Sequence, residues 1–523
     1  MKITYILFLF IFLSLSSLYS QLQLEWERRY NNPINGEDDA YAIDVDNAGN
    51  SYVTGRSYNG NNYDITTIKY DNSGNLIWSK NYSGSTNLDD YPVKIMVDFQ
   101  NNVIVGGRVS VTGGTYAVLL KYSASGSLIW SKMFGGAQGT ASSLGSLDLD
   151  YAGNIYMWNS GSEANRACFV MIKCSQNGDT LWTKKIIDTL NTGAHPVKIV
   201  TDSSGNSYAM GSNSRFLYIL KVNTSGELVW QARKVNTSAN DFCLCSTGEI
   251  YVTGYYYMYN GNRFNTMKIS TNGLFIWEAF YHVNSEEAFS VVTAQNGSVY
   301  VTGRSNYSGN LITVKYDSSG AQQWVRTING YFFGMPIISS ESSLNSLLVL
   351  GSKYINPARR VIVLTKYEES GAVTISYDYA NGSNMEDVAY DMKLGNNNDI
   401  YITGKSMASI THFDFLTLKF SQPIGIDPIS SEIPLQFSLS QNYPNPFNPA
   451  TKIKFAIPAG YGSQTNLSVY DILGRRVAVL VNQQLRPGTY EVDWDASVYP
   501  SGVYFYTITS GSFKETRKMV LLK

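Results

Sequence analysis

The sequence predicts an all-β chain: an eight-bladed β-propeller closed by an N-terminal strand, followed by an immunoglobulin-like β-sandwich. Three observations carry that expectation. The stretch 40–82, AYAIDVDNAGNSYVTGRSYNGNNYDITTIKYDNSGNLIWSKNY, holds four alternating β-branched and aromatic runs, paired by tight turns at Asn47-Ala48-Gly49 and Asn72-Ser73-Gly74. The stretch then repeats. Its IKY lysine recurs at Lys69, Lys121, Lys173, Lys221, Lys268, Lys315, Lys366 and Lys419, in steps of 47 to 53 residues. Its fourth-run tryptophan recurs at Trp26, Trp78, Trp130, Trp182, Trp230, Trp277 and Trp324, with Ile375 in its place once. Four strands in each period of about 50 residues is the pattern of propeller blades. Finally, the two ends are complementary. A fourth-run copy at 24–30 precedes any complete blade, and the last blade, from 387 to 420, holds only three runs. The early strand fills that vacancy, which closes the ring and removes a free sheet edge.

Taken in order, residues 1–20 read as a secretory signal, with Lys2 at the start, an apolar run over 3–13, and cleavage expected after Ser20. The run is short for a membrane span, and no later run reaches that length. It carries no cysteine for a lipid anchor. The chain has 523 residues, of which 15% are charged, with a net charge of −1, so it offers no basic field for nucleic acid or acidic lipid. Cys168 and Cys174 lie six apart on one strand, too far to pair with each other, and Cys243 and Cys245 fall in another blade. All four read as packing residues or free thiols. No metal site and no cofactor is expected.

Within the repeats most motifs read as scaffold. Asp46, Asp98, Asp150 and Asp202 open the same turn in four blades, where an aspartate accepts hydrogen bonds from its own backbone. The turn resembles the start of a calcium loop but lacks the later ligands. The tryptophans fit between adjacent sheets. The recurring lysine packs its stem and extends its amine to a carboxylate or water. A less common pattern is a doubled acid before the first strand: Asp38-Asp39, Asp89-Asp90, Glu286-Glu287 and Glu386-Asp387. In the same blades the second strand ends in a base, at Arg56, Arg108, Arg304 and Lys405. These positions are neighbours in a hairpin, so exposed cross-strand ion pairs are expected, with a charged ligand ring at the channel mouth as the functional alternative. The same face carries long loops such as 57–63, 255–265 (with Tyr256 and Tyr257) and 306–309, rich in Tyr, Asn, Gly and Arg; tyrosines and amides of this kind provide contact area and adaptable hydrogen bonds. Catalytic signals are poor. His195, His282 and His412 stand in no recognisable constellation, and Gly404-Lys405-Ser406 lacks the first glycine of a phosphate loop, Asp399 standing there.

The core Asp46-Asn47-Ala48-Gly49-Asn50-Ser51-Tyr52-Val53-Thr54-Gly55, and its copies over 24–420, resembles the bacterial β-propeller repeat family known by its SBBP signature. That resemblance implies the fold and says little about activity. Residues 421–436, SQPIGIDPISSEIPLQ, read as a linker with three prolines. After it, TKIKFAIP, TNLSVYDI, RRVAVLVN, GTYEVDWD, GVYFYTIT and FKETRKMVLL are short alternating runs that fit a sandwich. The stretch 437–523 is similar to type A sorting domains of the type IX secretion system. The matching motifs are Tyr443-Pro444-Asn445-Pro446-Phe447-Asn448-Pro449, Tyr470-Asp471-Ile472-Leu473-Gly474-Arg475, Pro487-Gly488-Thr489-Tyr490, Ser501-Gly502-Val503-Tyr504 and the terminal Lys518-Met519-Val520-Leu521-Leu522-Lys523. The resemblance implies export across the outer membrane of a diderm bacterium, with the secretion machinery and its sortase as partners. Removal of the domain and attachment or release of the mature protein would follow.

The delivery is therefore legible and the task less so. A non-enzymatic binding or adhesion module for glycan or protein is the first expectation. A glycan hydrolase or lyase with carboxylates at the channel mouth is the alternative, and a structural surface component is a third. A glycosidase needs two carboxyl groups about 5–10 Å apart. The doubled acids supply carboxyls, but basic partners would hold them ionised, which favours binding.

Overall fold

The computed structural model describes residues 22–523 except 136–140, 188–192, 214, 260, 295, 342–345, 358, 383–385, 396–397, 408–411, 423–428, 431–432, 459–463, 486 and 497–498. The expected signal segment lies outside the described residues, as does part of the expected linker. Every regular element among the described residues is a strand. The chain divides into two compact units, one of Leu24–Ser421 and one that contains Gln422–Lys523.

Among the described residues the first unit is built from eight four-stranded sheets. Strand β1 (Gln23–Tyr30) stands apart at the start. Sheet 1 follows as β2 (Asp38–Val45), β3 (Ser51–Tyr58), β4 (Tyr63–Tyr70) and β5 (Leu76–Tyr82), paired in chain order. Sheets 2 to 7 repeat that meander over 91–134, 141–187, 195–235, 237–281, 286–328 and 331–379. Sheet 8 takes three strands from 387–421, and β1 hydrogen-bonds to its Phe413–Ser421 edge. The first strand of each sheet packs on the first strand of the next, and Asp387–Leu394 of sheet 8 returns to β2.

Side chains explain that succession. In sheets 1, 2, 5, 6 and 8 the first strand carries a bulge near its start, as between Ala40 and Ala42. An aspartate on the first strand of one sheet accepts a backbone N–H from the next: Asp44 from Val97 (2.9 Å), Asp148 from Thr201 (2.6 Å), Asp241 from Val291 (2.9 Å) and Asp391 from Ile43 (3.1 Å). At the outer side six of the recurring tryptophans cap the neighbouring turn. Trp26 Nε1 donates to Asn72 O (3.0 Å), Trp78 to Ala124 O (3.2 Å), Trp277 to Ser318 O (3.1 Å) and Trp324 to Glu369 O (3.0 Å). The turn needs glycine there: Gly74 has φ +81, and a Cβ on it would lie 2.7 Å from the Trp26 ring. The recurring lysines join the same contacts. Lys69 donates to Ala124 O (3.1 Å), and Lys121 pairs with Asp98 (3.0 Å). Asp46 closes its turn by accepting from Ala48 N and Asn50 N (2.9 Å each) and from Tyr52 OH (3.0 Å). Cys168 and Cys174 are buried free thiols, and Cys243 and Cys245 are half-buried free thiols.

The second unit has a three-stranded sheet (Ser438–Leu439, Ala450–Ile457, Gly488–Asp495) and a four-stranded sheet ordered Arg476–Gln484, Gln464–Tyr470, Gly502–Ser510, Phe513–Leu521. Alternation puts Ile453, Phe455, Tyr490, Trp494, Leu467, Tyr506 and Met519 in its core.

Candidate functional site

The doubled acids occupy two different registers, which the sequence does not separate. Asp38, Glu286 and Asp387 lie opposite Ser57, Ser305 and Ser406. Asp90 precedes the Tyr91–Arg108 pair by one place. These four carboxylates are 0–1% exposed and cap the incoming loop. Asp38 accepts Asn32 N (2.9 Å) and Asn32 Nδ2 (2.8 Å), and Asp90 accepts Gly84 N (2.6 Å) and Ser110 N (3.1 Å). Glu286 accepts Val283 N (3.1 Å) and Asn284 N (2.6 Å), and Asp387 accepts Asn381 N (3.0 Å) and Ser406 Oγ (2.6 Å). Burial pushes the Asp38 carboxyl up to about 6 despite these donors, and it raises Asp90 and Asp387 as well.

The remaining acids do not form one repeated ion pair. Asp39 lies opposite Arg56 and pairs with it (2.7 Å), and Lys405 of sheet 8 reaches the same carboxylate (2.8 Å). In sheet 8 itself Val388, not an acid, is opposite Lys405, and Glu386 pairs instead with Arg360 of sheet 7. Glu287 lies opposite Arg304, yet it accepts from Asn262 (2.8 Å) and Asn306 (3.0 Å), while Arg304 sits over the Phe289 ring (5.4 Å). Asp89 accepts Tyr63 N (3.0 Å) and Tyr91 OH (3.0 Å). The expectation of four like, exposed pairs is thus corrected. Only Arg56 pairs with the acid across its hairpin among the described residues, and Asp39 is buried. In sheets 2 and 8 a one-residue difference in where the doubled acid meets the bulge takes the acid away from the base. In sheet 6 the register matches sheet 1, and Glu287 is held by the two asparagines instead.

What these contacts build is a belt across sheets 8, 1 and 2. Arg56 lies over Tyr63 (4.2 Å), Tyr91 (5.4 Å) and Tyr41 (5.9 Å). Tyr41 meets Tyr390 (5.7 Å), Lys405 sits over Phe413 (4.2 Å), and Arg108 lies over Tyr91 (4.7 Å). Tyr63 OH donates to Glu37 (2.9 Å). Beside it an open groove of about 520 Å³ is lined by Asp89, Tyr91, Arg108, Ser110, Thr115 and Ser143. Sequence reasoning missed Tyr41, Tyr63, Tyr91, Tyr390 and Glu37. For Tyr41, Tyr91 and Tyr390 the signal was a tyrosine one to three places after a doubled acid, a place that Phe289 takes after Glu286-Glu287; Tyr63 and Glu37 carry no such signal.

Tyr256 and Tyr257 lie away from this belt, on sheet 5. Tyr256 pairs across the hairpin with Arg263 and packs on Phe280 (5.7 Å). Tyr257 is half exposed and meets Tyr255 ring to ring at 5.0 Å, its hydroxyl pushed up to about 12 by burial and that neighbour. His282 reaches Glu286 (3.2 Å), a pair that the sequence reading did not single out.

Comparison with known proteins separates the two units. Residues 441–522 match the family described as secretion system C-terminal sorting domain. The C-terminal unit is a secretion sorting domain. It directs the chain through the type IX secretion system to the cell surface or the extracellular space. No curated protein matches the chain. Solved structures similar to it include Sqt1 from Chaetomium thermophilum, with 11% identity over 76% of this chain and 99% of that one and a TM-score of 0.49. A protein from Lactobacillus plantarum has 11% identity over 66% and 99% and a TM-score of 0.41. Polysaccharide lyase Uly1 has 10% identity over 75% and 91% and a TM-score of 0.41.

In the sorting domain the expected motif residues hold the last strand. Phe447 is buried against Trp494 (5.5 Å), and its backbone brackets Val520 O and Leu522 N (3.0 Å each). Asn445, between Pro444 and Pro446, accepts Val520 N (2.9 Å) through its side chain. Tyr490, two places after Gly488, stacks on Phe455 (5.4 Å). Tyr504 donates to Pro500 O (2.8 Å), and Gly502 pairs with Leu521. Lys518 O accepts Gln441 (2.8 Å), and Lys523 N donates to Ser501 (2.9 Å). Gly474 takes φ +75 in the exposed turn, where Arg475 pairs with Asp471 (2.7 Å).

Proposed function

We propose that residues 22–420 form an eight-bladed β-propeller closed by β1, that 421–436 is a linker, and that 437–523 is an immunoglobulin-like sorting sandwich which a surface sortase removes. The propeller is a non-enzymatic extracellular module that binds glycan or protein across the belt on sheets 8, 1 and 2. The observation that carries this reading is the commitment of the rim carboxylates. A glycoside hydrolase needs one carboxyl that is protonated and reaches the substrate. Asp38, whose burial raises it, is covered and turned to backbone donors, and the Asp39 carboxylate is engaged by Arg56 and Lys405. Beside them the belt presents half-buried tyrosines and the exposed Arg108, the chemistry of contact surfaces. A glycan array probed with the exported chain, beside an activity screen on the same sugars, tests it. Binding without turnover is expected. Turnover of any bound sugar would overturn the non-enzymatic reading, and loss of turnover on replacing Asp89 or Glu287 would assign the carboxylates.

A further inference from the structure

We infer that the groove between sheets 2 and 3 takes an anionic saccharide, with Arg108 as its anchor; the inference rests on the binding reading above. Arg108 is the cation of the belt that the protein leaves uncommitted. Arg56 and Lys405 share the Asp39 carboxylate, whereas no carboxylate is paired with Arg108 among the described residues. Its guanidinium is exposed and lies over Tyr91 at 4.7 Å. That contact orients the planar group and leaves its N–H edges free for a bidentate acceptor. Asp89, the one acid among the described residues of the groove, does not compete for it. It accepts Tyr63 N and Tyr91 OH, and Ser110 Oγ donates to its backbone carbonyl (2.6 Å). Asp89 therefore fixes Tyr91, and Tyr91 fixes Arg108.

The rest of the wall favours a sugar over a peptide. Thr115 and Ser143 add hydroxyls, and none of the described residues that line the groove has an aliphatic side chain to receive an apolar residue. A volume of about 520 Å³ in an open groove accommodates a short run of sugar rings whose ends continue into solvent. A carboxylate and a sulfate ester each present a pair of anionic oxygens to a guanidinium, so the shared chemistry is an oxyanion with two accessible oxygens carried on a polyhydroxylated chain.

The test uses the full chain and four polymers: polygalacturonate, dextran sulfate, neutral dextran and poly-glutamate, with affinity read by titration calorimetry at two salt concentrations. Polygalacturonate or dextran sulfate is expected to bind more tightly than dextran and to weaken at high salt, and the one that binds names the anion. Arg108→Ala should weaken that binding about tenfold or more, with Arg108→Lys intermediate, at an unchanged thermal midpoint. Equal affinity for dextran, or full affinity in Arg108→Ala, would overturn the anionic assignment and leave the binding reading standing. Tighter binding of poly-glutamate would replace the sugar by an acidic peptide. Silence with all four overturns the inference, and silence on the glycan array as well removes the binding reading with it.

Discussion

Asp39 shows how one buried carboxylate ties two sheets together. Its side chain is 3% exposed, and Arg56 (2.7 Å) and Lys405 (2.8 Å) approach from different sheets. Removing one cation leaves the other, so Arg56→Ala should cost about 1.5–3 kcal/mol, the worth of hydrogen bonds to a charged group. Arg56→Ala with Lys405→Ala strands an uncompensated buried charge and should cost about 3–5 kcal/mol. Urea unfolding of the single and double variants checks this; a double variant no worse than Arg56→Ala would show that Lys405 does not share the load. Asp38 gives a pH signature. Its folded carboxyl is raised from 3.8 to about 6 by burial, so the folded state holds the proton more tightly than the unfolded chain. Its contribution is therefore fully present below about pH 3.8 and is lost as pH rises through about 6. Comparing unfolding midpoints of the parent and Asp38→Asn between pH 4 and 7 isolates it. The parent should lose stability relative to the variant across that window, and parallel curves would show that Asp38 does not titrate there. The acids were legible in the sequence as a pattern, but their roles were not. Asp38-Asp39 and Asp89-Asp90 read alike, yet the bulge puts Asp39 opposite Arg56 and Tyr91 opposite Arg108. Nor does any local spacing reveal that Lys405 finds its partner more than 360 residues earlier, at Asp39.

Strands and turns were the most legible level, because each repeat restates them. The period of the lysine and tryptophan gives the four-strand unit, and Asn-Gly chemistry gives its turns. The orphan copy at 24–30 also told where β1 pairs, since the eighth sheet lacks one strand without it. The structure adds what β1 supplies there. Trp26 is buried, donates to Asn72 O (3.0 Å) and packs on Tyr70 (6.1 Å) and Tyr401 (6.2 Å). Arg29 reaches Ser406 (3.2 Å) and Tyr379 (3.1 Å), and Tyr30 meets Phe415 (5.7 Å). One strand thus touches sheets 1, 7 and 8. Deleting 22–30 should lower the thermal midpoint of the whole first unit and not only loosen its edge. Trp26→Ala alone should cost about 3–5 kcal/mol, as for other large buried aromatics. Scanning calorimetry of both variants decides it, and an unchanged midpoint after deletion would show that β1 does not tie the sheets together.

At the scale of the whole molecule, the chain couples a unit built from repeats to a unit built for delivery. The sorting domain's core runs from Leu439 to Leu521 and is complete in itself. Its final strand, Phe513–Leu521, is structural as well as terminal. Met519 and Leu521 are buried, Phe513 stacks on Phe437 (4.6 Å), and Phe447 and Asn445 clamp Val520. Truncation of 514–523 therefore strips the sandwich of core side chains as well as of its end. In a strain with type IX secretion the truncated chain should remain in the periplasm with its first unit folded. Cell fractionation with an antibody to that unit, and limited proteolysis of the retained material, measures both. A second variant separates recognition from folding: Lys518→Ala with Lys523→Ala changes charge at the chain end, and both residues engage the domain through their backbones. If a receptor reads the charged end, this variant folds and is retained. If a receptor needs only a folded sandwich, it is exported while the truncation is not. Surface display of the truncated chain at the parent's level would remove the sorting role from the last strand.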